Sequence, residues 1–306
     1  CQRNTINMKL YIQKPTVKGA WLWINEGYKA AWKEHGYDVI PYADILEINT
    51  ADKYHLMAWE YDIKGRNEAI EVLEKAQKVY LYVQPNYFPP PWGLHPNWQC
   101  SLGDDTISQI NNMEHVHLWN FGDTRSDFFF KWNKVLSLPL GFDSINYKPV
   151  EDSKYAFDIC FIGGWANNGF NEKRKIMIDH FVEIKKLNLK CGIFINKDIS
   201  LQDEANILYN SKIAINIHDA YTRIIGGNYN ERTFKGLGLT GFLISDRHLL
   251  LEKHFPDLPM ASTPKEMADL VAYYMEQDIV EIKTKNRLDT LNHHTYLERA
   301  KALASL

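Results

Sequence analysis

The residues best placed for chemistry lie between Gly226 and Asp246, where a polar segment bounded by Gly226 and Gly227 runs into a short helix and then an apolar strand. Such a segment predicts an anion-binding helix start. The glycines let the backbone approach a ligand, free N–H groups of the first helical turn point at it, and Arg232 adds a fixed cationic fork. A phosphate or diphosphate suits that combination. Asn228, Asn230 and Thr233 are candidates for further hydrogen bonds, and Glu231 favours the positive end of the helix. A second glycine loop, with Gly163, Gly164, Trp165 and Asn167, joins a buried strand to a helix expected near Glu172, and its backbone N–H groups suit phosphate. His218 ends another strand and is followed by Asp219, which puts a titratable pair at a carboxyl end and makes His218 a candidate catalytic group.

These loops need a scaffold of strands that all deliver their ends to one edge. Extended segments are predicted at 9–13, 37–42, 54–58, 79–83, 116–121 and 135–138, with helices at 21–34 and 66–76 between them. A second series follows at 157–162, 191–195, 213–217 and 241–245. This is the βαβ rhythm of α/β architecture with parallel sheets. Thr263, Pro264 and Glu266 predict a capped helix start, and Asp104 and Asp105 a cap before another helix. A proline-dense, aromatic loop over 84–93 belongs at a strand end, where open α/β sheets place ligands.

The chain has 306 residues, 45% hydrophobic and 24% charged, enough apolar material for two cores. A formal net charge of -3 gives no global attraction to nucleic acid or an anionic membrane. The four cysteines, Cys1, Cys100, Cys160 and Cys191, lack metal-ligand spacing and read as buried thiols of a reducing compartment. With no run of about 20 apolar residues and no signal-peptide core, a cytoplasmic protein is expected. Residues 1–7 precede Met8 and do not enter the fold prediction.

Asn230, Arg232 and Phe234, followed by Gly238 and the run from Gly241 to Asp246, resemble the nucleotide-binding segment of CgeB-like glycosyltransferases of the GT-B fold. Leu138 to Asp143 with Tyr147 and Pro149 is similar to that family's interdomain link, Phe161 to Gly164 to its second glycine loop, and His294 to Arg299 to its C-terminal helix. The likeness covers the C-terminal half. It implies two Rossmann-like domains facing across a cleft, an acceptor domain over 8–143, a nucleotide-sugar donor domain over 144–290 and a C-terminal helix over 291–306. It also implies transfer of a sugar from a nucleotide-diphosphate sugar to a hydroxyl of a carbohydrate or other acceptor, with no metal and no cofactor beyond the nucleotide-sugar co-substrate. The glycine loop would then face the donor, and His218 would contact it.

On the acceptor side, Asp123 follows an apolar strand and is the leading candidate for a general base, which an inverting transfer needs and a retaining one does not. Glu26, His95 and His117 are rivals. Lys18 and Gly19 lie in the loop after the first strand, and Trp92 and Trp98 offer flat faces for sugar rings. One departure is plain: Lys235 stands where relatives carry a glutamate that grips the ribose, and Gly227 stands eight residues before it, so no glutamate pair is present. The alternatives are glycosylation of a modified nucleic-acid base and a non-catalytic nucleotide- or glycan-binding protein. A dehydrogenase is disfavoured by the lack of a Gly-x-Gly-x-x-Gly after either leading strand.

Overall fold

A computed structural model describes residues 8–15, 19–90, 99–125, 127–165 and 173–306. Among these the chain divides into two compact units, one running to Pro139 and including Arg299–Leu306, the other spanning Leu140–Glu298.

The first unit carries β1 (Lys9–Gln13), α1 (Ala20–Glu34), β2 (Asp38–Tyr42), β3 (Tyr54–Trp59), α2 (Asn67–Lys75), β4 (Lys78–Tyr82), α3 (Asp104–Asn111), β5 (Val116–Asn120) and β6 (Val135–Ser137). The strands form a parallel sheet in the order β2-β1-β3-β4-β5-β6. Strands covered on both faces read as continuous apolar runs, and Val79, Tyr80 and Leu81 are each fully buried. Much of the aromatic material of this unit is core. Trp32 stacks on Tyr80 at 5.2 Å and sends its indole N–H to Met57 Sδ at 3.3 Å, while Trp119 packs against Tyr82 and Phe121. Asp104 and Asp105 do not cap α3. Gly103 is the cap, both aspartates lie in the first helical turn, and Asp104 pairs with Lys131.

The second unit carries β7 (Ile159–Gly163), α4 (Lys173–Lys185), β8 (Cys191–Ile195), α5 (Leu201–Asn210), β9 (Ile213–Asn216), α6 (Ala220–Ile225) and α7 (Arg232–Lys235). A π-helical turn over Gly236–Thr240 continues α7. Then come β10 (Leu243–Asp246), α8 (Leu249–His254), β11 (Met260–Ala261), α9 (Pro264–Met275) and α10 (Val280–His293), and α11 (Tyr296–Ala304) starts in this unit and passes into the first at Arg299. The sheet is parallel in the order β11-β10-β9-β7-β8. Ile159, Phe161, Ile213, Ile215 and Ile244 fill its core against Met177 of α4 and Met267 and Val271 of α9. The threonine cap is present, with Thr263 Oγ1 accepting the Glu266 N–H at 3.1 Å. The Glu266 carboxylate reaches back one residue further than the sequence reading has it, to Ser262 N at 2.7 Å. No helix among the described residues is long and apolar enough to cross a membrane.

Strand order locates the important edge. From β7 the chain goes to β8 on one side and then to β9 on the other, so the order reverses between β7 and β9. The crevice outside the carboxyl ends of two such strands is where open α/β sheets hold ligands.

Candidate functional site

Arg232 occupies that crevice. Its Nε donates to the Ile162 carbonyl of β7 at 2.9 Å, and its Nη1 donates to Asn216 Oδ1 at 3.2 Å and to the Ile217 carbonyl, at the end of β9, at 3.3 Å. The guanidinium carbon also lies 4.6 Å from the centre of the Phe161 ring. The fork is thereby pinned by both strands, and the two N–H groups of Nη2 have no protein acceptor among the described residues. Burial, opposed by Asp219, Glu204 and Asp246, lowers its pKa, yet a guanidinium stays charged at any ordinary pH.

The second glycine loop is small because of this arginine. A Cβ on Gly163 would sit 2.3 Å from Arg232 Nη2 and 2.9 Å from Cζ, so only glycine admits the guanidinium. Gly164 makes room in the same way for Asn196, whose Oδ1 would lie 2.7 Å from a Cβ there and accepts the Trp165 N–H at 3.1 Å.

Around the arginine lies a buried polar layer. Asn216, fully buried, accepts from Arg232 and donates to Thr233 Oγ1 at 3.1 Å and Ser245 Oγ at 3.3 Å. Thr233 is therefore a buried support of Asn216. One residue past Ile217, His218 is 1% exposed; its Nδ1 lies 2.6 Å from Asp246 Oδ1, and its backbone N–H reaches Asp246 Oδ2 at 3.0 Å. Arg223 of α6 lies 3.3 Å from the same carboxylate. The Asp246 pKa falls below the usual range because His218, Arg223 and that backbone N–H outweigh burial, the largest single influence, which acts the other way. His248 packs its ring 4.6 Å from that of His218 and caps α8 through Nδ1; burial, then His218, brings its pKa down to about 4. Lys173, at the start of α4 and 7% exposed, pairs with Asp219 at 2.9 Å. Burial and then Arg232 lower its pKa, partly offset by Asp219.

Two expectations about this segment change. Three N–H groups at the start of α7 are not free, because Thr233 N donates to Asn230 O and Phe234 N and Lys235 N to Glu231 O. The cation set therefore replaces the helix start as the feature suited to an anion. Gly226 takes φ +65 as the left-handed cap of α6, a helix the sequence reading did not foresee, so its conformational freedom ends that helix. Both amide atoms of Asn230 are enclosed without a partner among the described residues. The Asn228 carbonyl lies beside His248 and favours its protonated form.

Lys235 and Glu231 share the face of α7 turned the other way, four residues apart. Lys235 pairs with Glu231 at 3.4 Å and with Glu204 of α5 at 3.1 Å, and lies 5.2 Å over the Tyr147 ring. Tyr147 donates to Glu204 Oε2 at 2.7 Å and Tyr296 to Glu231 Oε1 at 3.0 Å. Burial would lower the Lys235 pKa, but the two carboxylates and Tyr147 hold it well above its ordinary value. Burial raises Glu231, with Lys235 opposing. The residue standing in the glutamate's place thus holds α7 to α5, and Glu231 is engaged in the same cluster.

In the first unit, Asp123 follows β5 on a partly exposed turn, 3.7 Å from Arg125 Nε. His117 is mid-strand on β5 beside Tyr80, and Glu26 pairs with Lys29 on α1. Gly19 precedes α1, and a Cβ there would meet nothing among the described residues. Lys18, Trp92, Trp98, His95 and Asn167 lie outside the described residues.

The sequence reading gave no role to Lys173, Arg223, Asn216 or Asp246. Only Asp246 carried a signal, as the polar last residue of an apolar strand.

The model of a family described as glycosyl transferase-like matches residues 153–305, half of the chain. No curated protein matches well enough to count as a relative. Similar solved structures include HepE from Anabaena in complex with UDP-glucose, at 10% identity and TM-score 0.57 over 98% of this chain and 99% of that one. A glycosyltransferase from Rickettsia africae aligns at 11% identity and TM-score 0.60 over 98% and 97%. T4 phage BGT with its UDP-glucose substrate aligns at 11% and 0.56 over 98% and 100%. At these identities the likeness is one of fold, and it extends over both units. Together with the family match and the two parallel sheets, it shows that the chain belongs to the glycosyl transferase-like family and is a glycosyltransferase of the GT-B fold.

Proposed function

We propose that the second unit holds a nucleoside-diphosphate sugar with its diphosphate at the β7/β9 crevice, and that the first unit binds the acceptor and presents its hydroxyl. The observation that carries this is Arg232, held by both strands with its Nη2 donors unengaged among the described residues. Transfer forms a bond from the acceptor oxygen to the anomeric carbon and breaks the bond between that carbon and a phosphate oxygen, which leaves with both electrons. A preorganised cation loses no reorganisation energy in meeting that charge. Arg232 and Lys173 do so in this reading, without a metal, and Arg223 stands behind them. The loop with Gly163, Gly164, Trp165 and Asn167 lines the donor, as do Asn228 and Asn230, whereas Glu231 and Thr233 brace the helix that carries Arg232. Asp123 takes the acceptor's proton if the configuration inverts. Lys18, Gly19, Trp92 and Trp98 are proposed for the acceptor.

Two of the similar structures contain UDP-glucose, which makes uridine-diphosphate sugars the first donors to try. Kinship with CgeB-like enzymes remains part of the proposal and rests on the motifs quoted above. The test is release of nucleoside diphosphate from a panel of nucleotide sugars, with and without acceptors. Turnover with one donor that disappears in Arg232→Ala supports the assignment. Equal turnover in that variant removes Arg232 from the site.

A further inference from the structure

Two cations, Lys173 of α4 and Arg232 of α7, meet the short turn from Ile217 to Asp219 at the end of β9, and a third, Arg223 of α6, reaches Asp246, the carboxylate that holds His218. His218 sits at the centre of that turn. Its Nδ1 is committed to Asp246, and its Nε2 is enclosed with no hydrogen-bond partner among the described residues. A carboxylate fixing one imidazole nitrogen and leaving the other for a ligand is the arrangement by which proteins set the tautomer and charge of a histidine.

We propose that His218 is a proton-carrying ligand of the diphosphate: it takes up a proton as the nucleoside diphosphate binds, donating through Nε2 to a phosphate oxygen and through Nδ1 to Asp246, which is the positioning residue. This rests on the donor site proposed above. Facing His218 are Asp246 of β10, Arg223 of α6, Arg232 of α7, the Asp219–Lys173 pair with Lys173 from α4, and His248 before α8. Without ligand, three fixed cations oppose a further positive charge, and Asp246 and Asp219 favour it. A diphosphate adds at least two negative charges at the same turn and tips that balance toward protonation. His248 does not compete for the proton, because its Nδ1 is engaged as the cap of α8. By linkage, a site that gains a proton on binding binds more tightly as pH falls.

Calorimetry of UDP and UDP-glucose, with GDP, ADP and dTDP alongside, in buffers of differing ionisation enthalpy counts the protons taken up. Near pH 8 the diphosphate of UDP-glucose does not titrate, so a proton taken up there belongs to the protein. The wild type is expected to take up about one proton per ligand at that pH, and His218→Gln and Asp246→Asn none. Binding remains measurable in these variants and weakens about tenfold. Should either variant fold poorly, ¹⁵N-histidine spectra of the wild type give the same answer, since His218 must become an imidazolium on ligand addition. Binding without uptake, uptake that persists in His218→Gln, or a His218 signal that stays neutral overturns the proposal while the donor site stands. Failure of every diphosphate to bind removes the donor site and this inference together.

Discussion

Gly163→Ala is a small change with a large expected effect. The new methyl would lie 2.3 Å from Arg232 Nη2, so the guanidinium must retreat by at least about 1.2 Å to reach ordinary contact distance. That shift breaks the Nε bond to Ile162 O, now 2.9 Å, and strains the two bonds at Nη1. Loss of one hydrogen bond from a charged donor costs about 2 kcal/mol, which for a unit of this size lowers Tm by about 4–8 °C. The same methyl has nothing to displace once the arginine is shortened, so in an Arg232→Ala background it should cost under about 0.5 kcal/mol. The double-mutant cycle therefore carries a coupling of about 2 kcal/mol. It is read by thermal or denaturant unfolding, and diphosphate affinity should fall at least about tenfold in the single variant. Equal costs in both backgrounds would show that Gly163 is glycine for some reason other than Arg232.

Lys235→Ala leaves Glu204 and Glu231 buried without their cation, a loss of about 3–5 kcal/mol. Because burial already raises Glu231, the folded state holds its proton more firmly than the unfolded chain and stability falls as pH rises. The Tm deficit should be larger near pH 8 than near pH 5, and a pH-independent deficit would refute the ion cluster. For His248 the sign is opposite. With its pKa lowered to about 4 in the fold, the unfolded chain binds the extra proton first, and stability is lost as pH falls from about 6.5 toward 4. The loss reaches about 2–3 kcal/mol near pH 4.5 and is absent from His248→Asn, which keeps the cap; parallel acid titrations of Tm for the two proteins would contradict it. Asp123→Asn should abolish transfer and spare diphosphate binding if the reaction inverts, and wild-type turnover would discard the base.

Much of the scaffold was legible because buried parallel strands announce themselves as apolar runs, as at Val79–Leu81 and Ile213–Ile217. Their ends fell within a residue or two of the strands found. At six residues α6 is too short to show an apolar period, and the closed hydrogen bonds at the start of α7 depend on how the chain approaches from Asn230. Arg232 and His218 could be named from the sequence, but the reasons for their geometry could not. The arginine is held by carbonyls up to 70 residues away, and the histidine by a carboxylate 28 residues away on the neighbouring strand. Lys235 shows the same limit. It is explained by Glu204, 31 residues upstream on α5, a partner that no local motif includes. Lys173 looks in sequence like any solvated lysine at a helix start, and only the fold turns it inward.

The central claim is that the β7/β9 crevice binds a nucleoside diphosphate through Arg232. Titration calorimetry of the wild type and Arg232→Lys with the five diphosphates UDP, GDP, ADP, CDP and dTDP tests it most directly, since lysine keeps the charge but not the fork. The account predicts measurable binding of at least one diphosphate and a loss of about tenfold or more in the folded variant. No binding by the wild type, or equal affinity in both proteins, would contradict it.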